Sequence, residues 1–479
     1  MWWNKPIAHD RQTLSGGLRT TRRGFLTGLA GAPLVCSKER NANRISTASA
    51  DIKLSIERTK IEVAPGHTIT TSTYNGTAPG PPIRLKEGVP ASVHIVNRTE
   101  IAEFVHWHGF EIPPDLDGTE EEGSRAIPPG GELRYEMTPL LAGSRYVHSH
   151  AMTMGDLSRG VYSGQFAFVY VEPKRNRGRY DQEIFLATHE WEPRLEPEPV
   201  EESAEDGEDD EERGSMEVRY GIRSINGKAL DCGDPIQVKE GQRVLFHFLN
   251  ASATENVSLH LPGHTFYVVA LDGNPVPRPG RVSVLELGVG ERVDALVDMN
   301  HPGVWILGSV ADDVRKGGLG VRLEYAARRG DPQTAAPGGI PFDYLRFGQN
   351  RGHATPDEVI PMKFLRVAPD ESGMERWSIN GQVYGDHDKP RVLQRGLRYR
   401  LALNNRTAEA HPVHLHRYTF ELVRVGSRTT SGIRKDVITL QPYQTAEVDF
   451  VPQEPGLALF HCHQQMHMEM GFKLLFRVV

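Results

Sequence analysis

The sequence predicts an all-β chain of three consecutive Greek-key β-sandwich domains. Three observations carry that expectation. A pattern of Gly, an alternating strand and then Asn recurs three times in the 479 residues, with Asn97, Asn250 and Asn405 spaced 153 and 155 residues apart. The strands within each repeat alternate apolar and polar residues and favour β-branched side chains, the pattern of a half-buried strand. Gly (48) and Pro (33) supply about one residue in six, which suits short strands and many turns rather than long helices.

In chain order, residues 1–50 read as an address. Arg22 and Arg23 precede a short apolar stretch from Gly24 to Val35, and Ala48-Ser49-Ala50 forms a small-residue cleavage pattern. The arrangement resembles a twin-arginine export signal, so a periplasmic or secreted protein is expected. The first domain is placed at 51–173, beginning after that signal. The second is placed at 174–327 and opens on a strand at 183–188. The run 196–212, with eleven Asp and Glu in seventeen positions, is expected to interrupt it as a solvated loop. The stretch 328–355, rich in Gly, Pro and Arg, reads as a connector, and the third domain as 356–479.

Charge and cysteine content narrow the function classes. The formal charge of −7 becomes +4 once the eleven acidic residues of that run are set aside. Neither balance is the dense basic stripe of a nucleic-acid surface. No apolar run approaches the roughly 20 residues of a spanning helix, so no membrane span is expected. The three cysteines, Cys36, Cys232 and Cys462, are too few for a disulfide framework. Cys232 reads as structural, and a monomer is the default oligomeric state.

Superposing the repeats shows which slots carry chemistry. Nine and eleven residues after the repeat Asn stand His106 and His108 in the first unit, His414 and His416 in the third, and Leu259 and Leu261 in the second. The second half of each unit begins at Gly143, Gly303 or Gly456. Five and seven residues on stand His148 and His150, Gly308 and Val310, and His461 and His463. His-x-His on a strand aims both rings to one face, so two such pairs from each of two domains can converge. Eight imidazoles exceed the needs of one metal and imply a multinuclear cluster.

The remaining slots select the metal. Only the third unit has a thiol between its second His pair, Cys462, and an imidazole six residues after its Asn, His411. With His467 they form a His₂Cys set, the ligand signature of a blue copper centre. Cys462 points away from its neighbours His461 and His463, so one strand serves two metal sites. The other ten histidines, among them His189, His247, His260, His264, His353 and His387, are read as structural.

The motifs HWHG, HSH, HPVHLH and HCHQQMH resemble those of three-domain multicopper oxidases of the bacterial laccase-like type, built from cupredoxin domains. The resemblance implies four coppers per chain. His106 and His414 would bind the type 2 ion, and His108, His148, His150, His416, His461 and His463 the type 3 pair. The type 1 ion at His411, Cys462 and His467 would take electrons from a small reductant, and O₂ would be reduced to water. Asp117 matches an acid that relatives place beside the cluster, where a proton donor is needed. No cofactor beyond copper is implied.

Departures from the family pattern are also legible. Phe472 stands where many members carry an axial Met, which implies a three-coordinate type 1 site. Arg417 replaces a usual Gly, and Met466 a carboxylate found in some members. Phenolic or similar organic reductants are the expected substrates, with a periplasmic cuprous oxidase for copper tolerance as the alternative. Met152, Met154, Met466, Met468 and Met470 lie beside the copper motifs, where thioethers suit Cu(I) but more often serve packing.

Overall fold

A computed structural model describes residues 50–479 except 154, 176–177, 198–215, 334, 369–374 and 387–388. The address segment up to residue 49, Cys36, Met154, His387 and most of the acidic run lie outside the described residues. Among the described residues, thirty strands form six sheets, which sort along the chain into three pairs. The first pair is built from two four-stranded sheets. The second and third pairs each set a six-stranded sheet against a five-stranded one, with the same strand order in both.

The repeated sequence features have local structural causes. Each unit opens on a strand parallel to the one that ends in the repeat Asn. These are Ala50–Ala64 with Ala91–Asn97, Gln182–Pro197 with Arg243–Asn250, and Glu358–Val367 with Tyr399–Asn405. Each Asn-Gly pair takes positive φ at both residues, for example +53° at Asn75 and +75° at Gly76, as a tight hairpin turn demands. The repeat Asn is a buried staple. Asn405 Nδ2 donates to the carbonyls of Glu409 and Gln441 at 2.7 and 2.9 Å, while its Oδ1 accepts from Thr407 N and Oγ1. Asn97 makes the corresponding four bonds around Thr99. The turn that delivers each histidine strand is therefore held from inside.

Two boundaries differ from the sequence reading. The first strand begins at Ala50, which pairs with Ala91, so one residue assigned to the address belongs to a sheet. The second unit's first strand is not confined to 183–188. It continues to Pro197 and pairs antiparallel with Met216–Ile225, so the acidic run begins inside a strand and joins two paired strand ends. The connector packs against the sandwiches. Phe347 is fully buried, and Phe342, Tyr344 and Leu345 lie against the apolar core shared by the second and third sandwiches.

Candidate metal centre

The strands that carry the histidines pair in register. His106 lies opposite His148 on Val105–His108 and Gly143–Ser149, and His414 lies opposite His461 on His411–Leu415 and Gly456–Cys462. The two sets meet between the first and third sandwiches. His106 stacks on His416 at 4.0 Å and His108 on His414 at 3.8 Å between ring centroids. Four of the five ligand sets that close within 4.8 Å are His108–His148–His463, His150–His416–His461, His106–His108–His414 and His411–Cys462–His467. All eleven residues named as candidate ligands from sequence thus fall into buried groups. Among the described residues, the second sandwich contributes none.

Hydrogen bonds show which ring nitrogens are left for a metal. A carbonyl oxygen can only accept, so a ring nitrogen bonded to one must carry the proton. His106 Nδ1 donates to Asp117 O, His148 Nδ1 to Ser149 O, His414 Nδ1 to Asp436 O and His461 Nδ1 to Cys462 O, at 2.7 to 2.9 Å. The Nε2 atoms of these rings are then bare. His108 is reversed: Nε2 donates to Asp436 Oδ1 at 3.0 Å and leaves Nδ1 bare. His106 Nε2, His108 Nδ1, His148 Nε2, both nitrogens of His150 and His414 Nε2 are buried without any partner. His416 Nε2 and His461 Nε2 face each other at 3.0 Å, although His416 Nδ1 already bonds Asp117. Buried nitrogens left bare and converging are costly unless a cation fills the space between them. The residues therefore fit a bound metal.

Burial, reinforced by neighbouring imidazoles, keeps these rings neutral. It lowers the pKa of His108, His148, His150, His414, His416 and His461 well below the ordinary value and takes His463 to about 3. Neutral imidazole is the ligating form. Tyr146 OH lies 3.0 Å from His463 Nε2, at the edge of the cluster.

In the His₂Cys set, Cys462 Sγ lies 3.8 Å from His411 Nδ1 and 3.6 Å from His467 Nδ1. The repeat motif orients His411. Thr407 gives its hydroxyl proton to Asn405 and so accepts from His411 Nε2 at 2.7 Å, which turns Nδ1 to the sulfur. His467, on the short helix Gln465–Glu469, is held by Glu409 Oε2 at 3.2 Å from Nε2. Burial raises the Cys462 thiol, so a metal is needed to keep it as thiolate. The fully buried Phe472 ring packs 5.0 Å from His411 and 6.0 Å from Trp377, between centroids, and brings no donor atom.

Asp117 and Glu122 form an acid pair beside the cluster. Asp117 ends the turn Pro114–Asp117, where Gly118 takes φ +98° because a Cβ would strike Val105 O. Its Oδ2 lies 2.8 Å from His416 Nδ1, and its Oδ1 is buried without a partner. Glu122, missed from sequence, accepts from Leu459 N at 2.6 Å. Burial and then Asp117 hold its carboxyl well above the usual range. Asp436 and Arg292 were also missed, since neither sits in a repeat slot.

The remaining sequence expectations resolve individually. Arg417 adopts φ +63°, where a Gly is usual, and offsets the strain with three guanidinium bonds, to the carbonyls of Ile112, Leu457 and Pro455. Met468 is core, whereas Met466 and Met470 line a cavity. His189 Nδ1 bonds the carbonyl of Ala251, His264 Nε2 the hydroxyl of Tyr325, and His247 lies between Asp294 and Glu183.

Residues 55–176, 189–317 and 356–479 each match a family described as multicopper oxidase. The chain belongs to the multicopper oxidase family. It is 26% identical to the multicopper oxidase MmcO of Mycobacterium tuberculosis over 95% of both chains. It is 22% identical to copper resistance protein A of Escherichia coli over 95% of this chain and 98% of that one. Its fold is similar to a solved multi-copper oxidase from Pseudomonas thermotolerans (TM-score 0.69, 24% identity, 91% of this chain and 100% of that one). It is also similar to a laccase from Botrytis aclada (TM-score 0.73, 18% identity, 90% and 87%). The chain is an oxidoreductase of this family, and its histidine groups fit copper.

Proposed function

We propose that this multicopper oxidase is laccase-like. It takes single electrons from small organic reductants at His411, Cys462 and His467, and it delivers them to O₂ at the eight-histidine cluster. One feature carries the reading: Cys462 belongs to the first site, while its chain neighbours His461 and His463 belong to two groups of the second. When bound, four coppers per chain supply one-electron acceptance at the type 1 site and four-electron reduction of O₂ to water at the type 2 and type 3 ions. His106 and His414 would hold the type 2 ion, and the two complementary triads the type 3 pair. Glu122, which burial and then Asp117 keep in its acid form, would hold a proton beside His416, and Asp117, bonded to His416, would relay it toward the cluster, where reduction of O₂ consumes protons.

The reductant would dock in a cavity of about 350 Å³ over His467, lined by Trp377, Met466, Met470, Glu409, Glu375 and Glu255 among others. The Trp377 ring lies 4.2 Å from the His467 ring, tilted 36° to it, and adds an apolar wall suited to an aromatic reductant. The carboxylates and thioethers favour a second reading, cuprous ion, since soft sulfur donors suit Cu(I). The paired arginines at Arg22 and Arg23 support export to the periplasm or beyond, which cell fractionation tests.

Oxygen uptake by the copper-loaded protein with a phenol, with Cu(I) and with neither tests the function. Phenol-dependent uptake is expected, and uptake with Cu(I) alone would install the second reading. Metal analysis and electron paramagnetic resonance should find about four coppers per chain in three classes. Cys462→Ser should abolish the blue absorption and turnover while the cluster keeps its copper. A protein that binds zinc, or a single copper, would refute the assignment.

A further inference from the structure

We propose that Arg292, from the sandwich that supplies no candidate ligand, is a positioning residue for the metal centre. It holds Asp436 where Asp436 sets which nitrogens His108 and His414 present. The inference rests on reading the histidine groups as copper sites.

The Arg292 guanidinium is fully buried. Its Nη1 and Nη2 each lie 2.6 Å from one carboxylate oxygen of Asp436, a two-pronged pair that fixes the acid's plane. Asp436 Oδ1 then accepts from His108 Nε2, and its backbone carbonyl accepts from His414 Nδ1. One residue thereby dictates opposite tautomers in two stacked rings. Asp272 ties the backbones together, accepting from Arg292 N at 3.0 Å and from Asp436 N at 3.2 Å. Lys435 Nζ lies 3.0 Å from Asp272 and 3.1 Å from Glu291. Charges alternate along Lys435, Asp272, Arg292 and Asp436, so each buried charge has an opposite neighbour.

The first sandwich leaves room for this pair. Gly109 closes HWHG at φ +81°. A Cβ there would stand 2.8 Å from Asp436 Oδ2 and 2.9 Å from Arg292 Nη2. The same loop of the second sandwich touches the cluster again at Gly290, where a Cβ would fall 2.9 Å from the His463 ring. Without the guanidinium, Asp436 loses its fixed plane, and His108 is free to turn Nδ1 away from the metal.

The test compares wild type, Arg292→Ala and Arg292→Lys as full chains. It reads copper affinity of the cluster by chelator competition with paramagnetic resonance, and of the blue site by its absorption. Loss of an outer partner to a ligating imidazole typically costs roughly 10–100-fold in metal affinity. Arg292→Ala should lose that much at the cluster and keep the blue absorption. Arg292→Lys should fall between, because an ammonium keeps the charge but lacks the fork. Cluster affinity equal to wild type in both variants, or parallel loss at both sites, would overturn the proposal. If Arg292→Ala does not fold, Arg292→Lys carries the comparison. Histidine ¹⁵N shifts of the metal-free wild type then read the tautomer directly, and a His108 protonated at Nδ1 overturns it. Wild type that binds no copper removes the site reading, and this inference with it.

Discussion

At the scale of single residues, the type 1 candidate turns on Phe472. With two imidazoles, a thiolate and an apolar ring, the oxidised ion would receive less electron density, so the reduced state is favoured. Phe472→Met should lower the potential, read by redox titration of the blue band, and an unchanged or higher value would show that Phe472 is not axial. The ligands themselves were legible because a metal demands particular donor atoms at fixed spacing on a strand. Glu122, Asp436 and Arg292 were not, because a supporting carboxylate or guanidinium can reach a ring from any element that folds nearby. Arg417 shows the same limit from the other side. Its departure from Gly was visible in sequence, but the three carbonyls that tolerate it, from Ile112, Pro455 and Leu457, lie on two sandwiches.

At the scale of elements, strand periodicity and Asn-Gly turns exposed the repeat, yet the hairpin 182–197 with 216–225 was cut short. The charge of Glu196 reads as a loop signal in the sequence, whereas pairing with Met216–Ile225 carries the strand through it. The packing of the connector was not legible for a related reason, since its Gly, Pro and Arg content gives no sign of the few aromatic residues that bury. The hairpin geometry leads to a prediction. Pro197 and Met216 pair directly, and Met216, Glu217 and Val218 line the cavity over His467. Replacing 198–215 by Asn-Gly should leave the unfolding midpoint unchanged. Removing the ten acidic residues that the sequence places between these strand ends should lower kcat/KM for cationic reductants more than for neutral phenols, and added salt should shrink the difference. A lowered midpoint, or equal loss for both substrates, would contradict this.

At the scale of the whole molecule, the sandwiches are joined by buried charge. Between the first and second, Ser144 Oγ bonds Asp294 and His247 Nδ1, and His247 Nε2 lies 3.3 Å from Glu183. Burial works to lower the His247 pKa, but Asp294 and Glu183 outweigh it and hold it at about 9. A folded-state value above the unfolded one, about 6.5, means stabilisation that is complete below that pH and lost as pH rises through about 9. Glu183 is held at about 2 against the pull of burial by His247 and Arg84, so its share is lost only as pH falls toward 2. The midpoint difference between wild type and His247→Gln should therefore be widest near pH 4.5 to 6.5 and close above about 9. A pH-independent difference would assign His247 a packing role alone.

The division of the eight histidines between the first and third sandwiches also bears on synthesis. A ribosome releases the chain from its amino end, and domains fold as they emerge. His106, His108, His148 and His150 are complete as a half-set long before His461 and His463 exist. Each of the two complementary triads needs at least one nitrogen from the later half. Copper that arrives early meets an unfinished pocket open on one side, and only a chain translated through the third sandwich can close around it. Capture of the full metal complement thus reports that translation has passed the third sandwich.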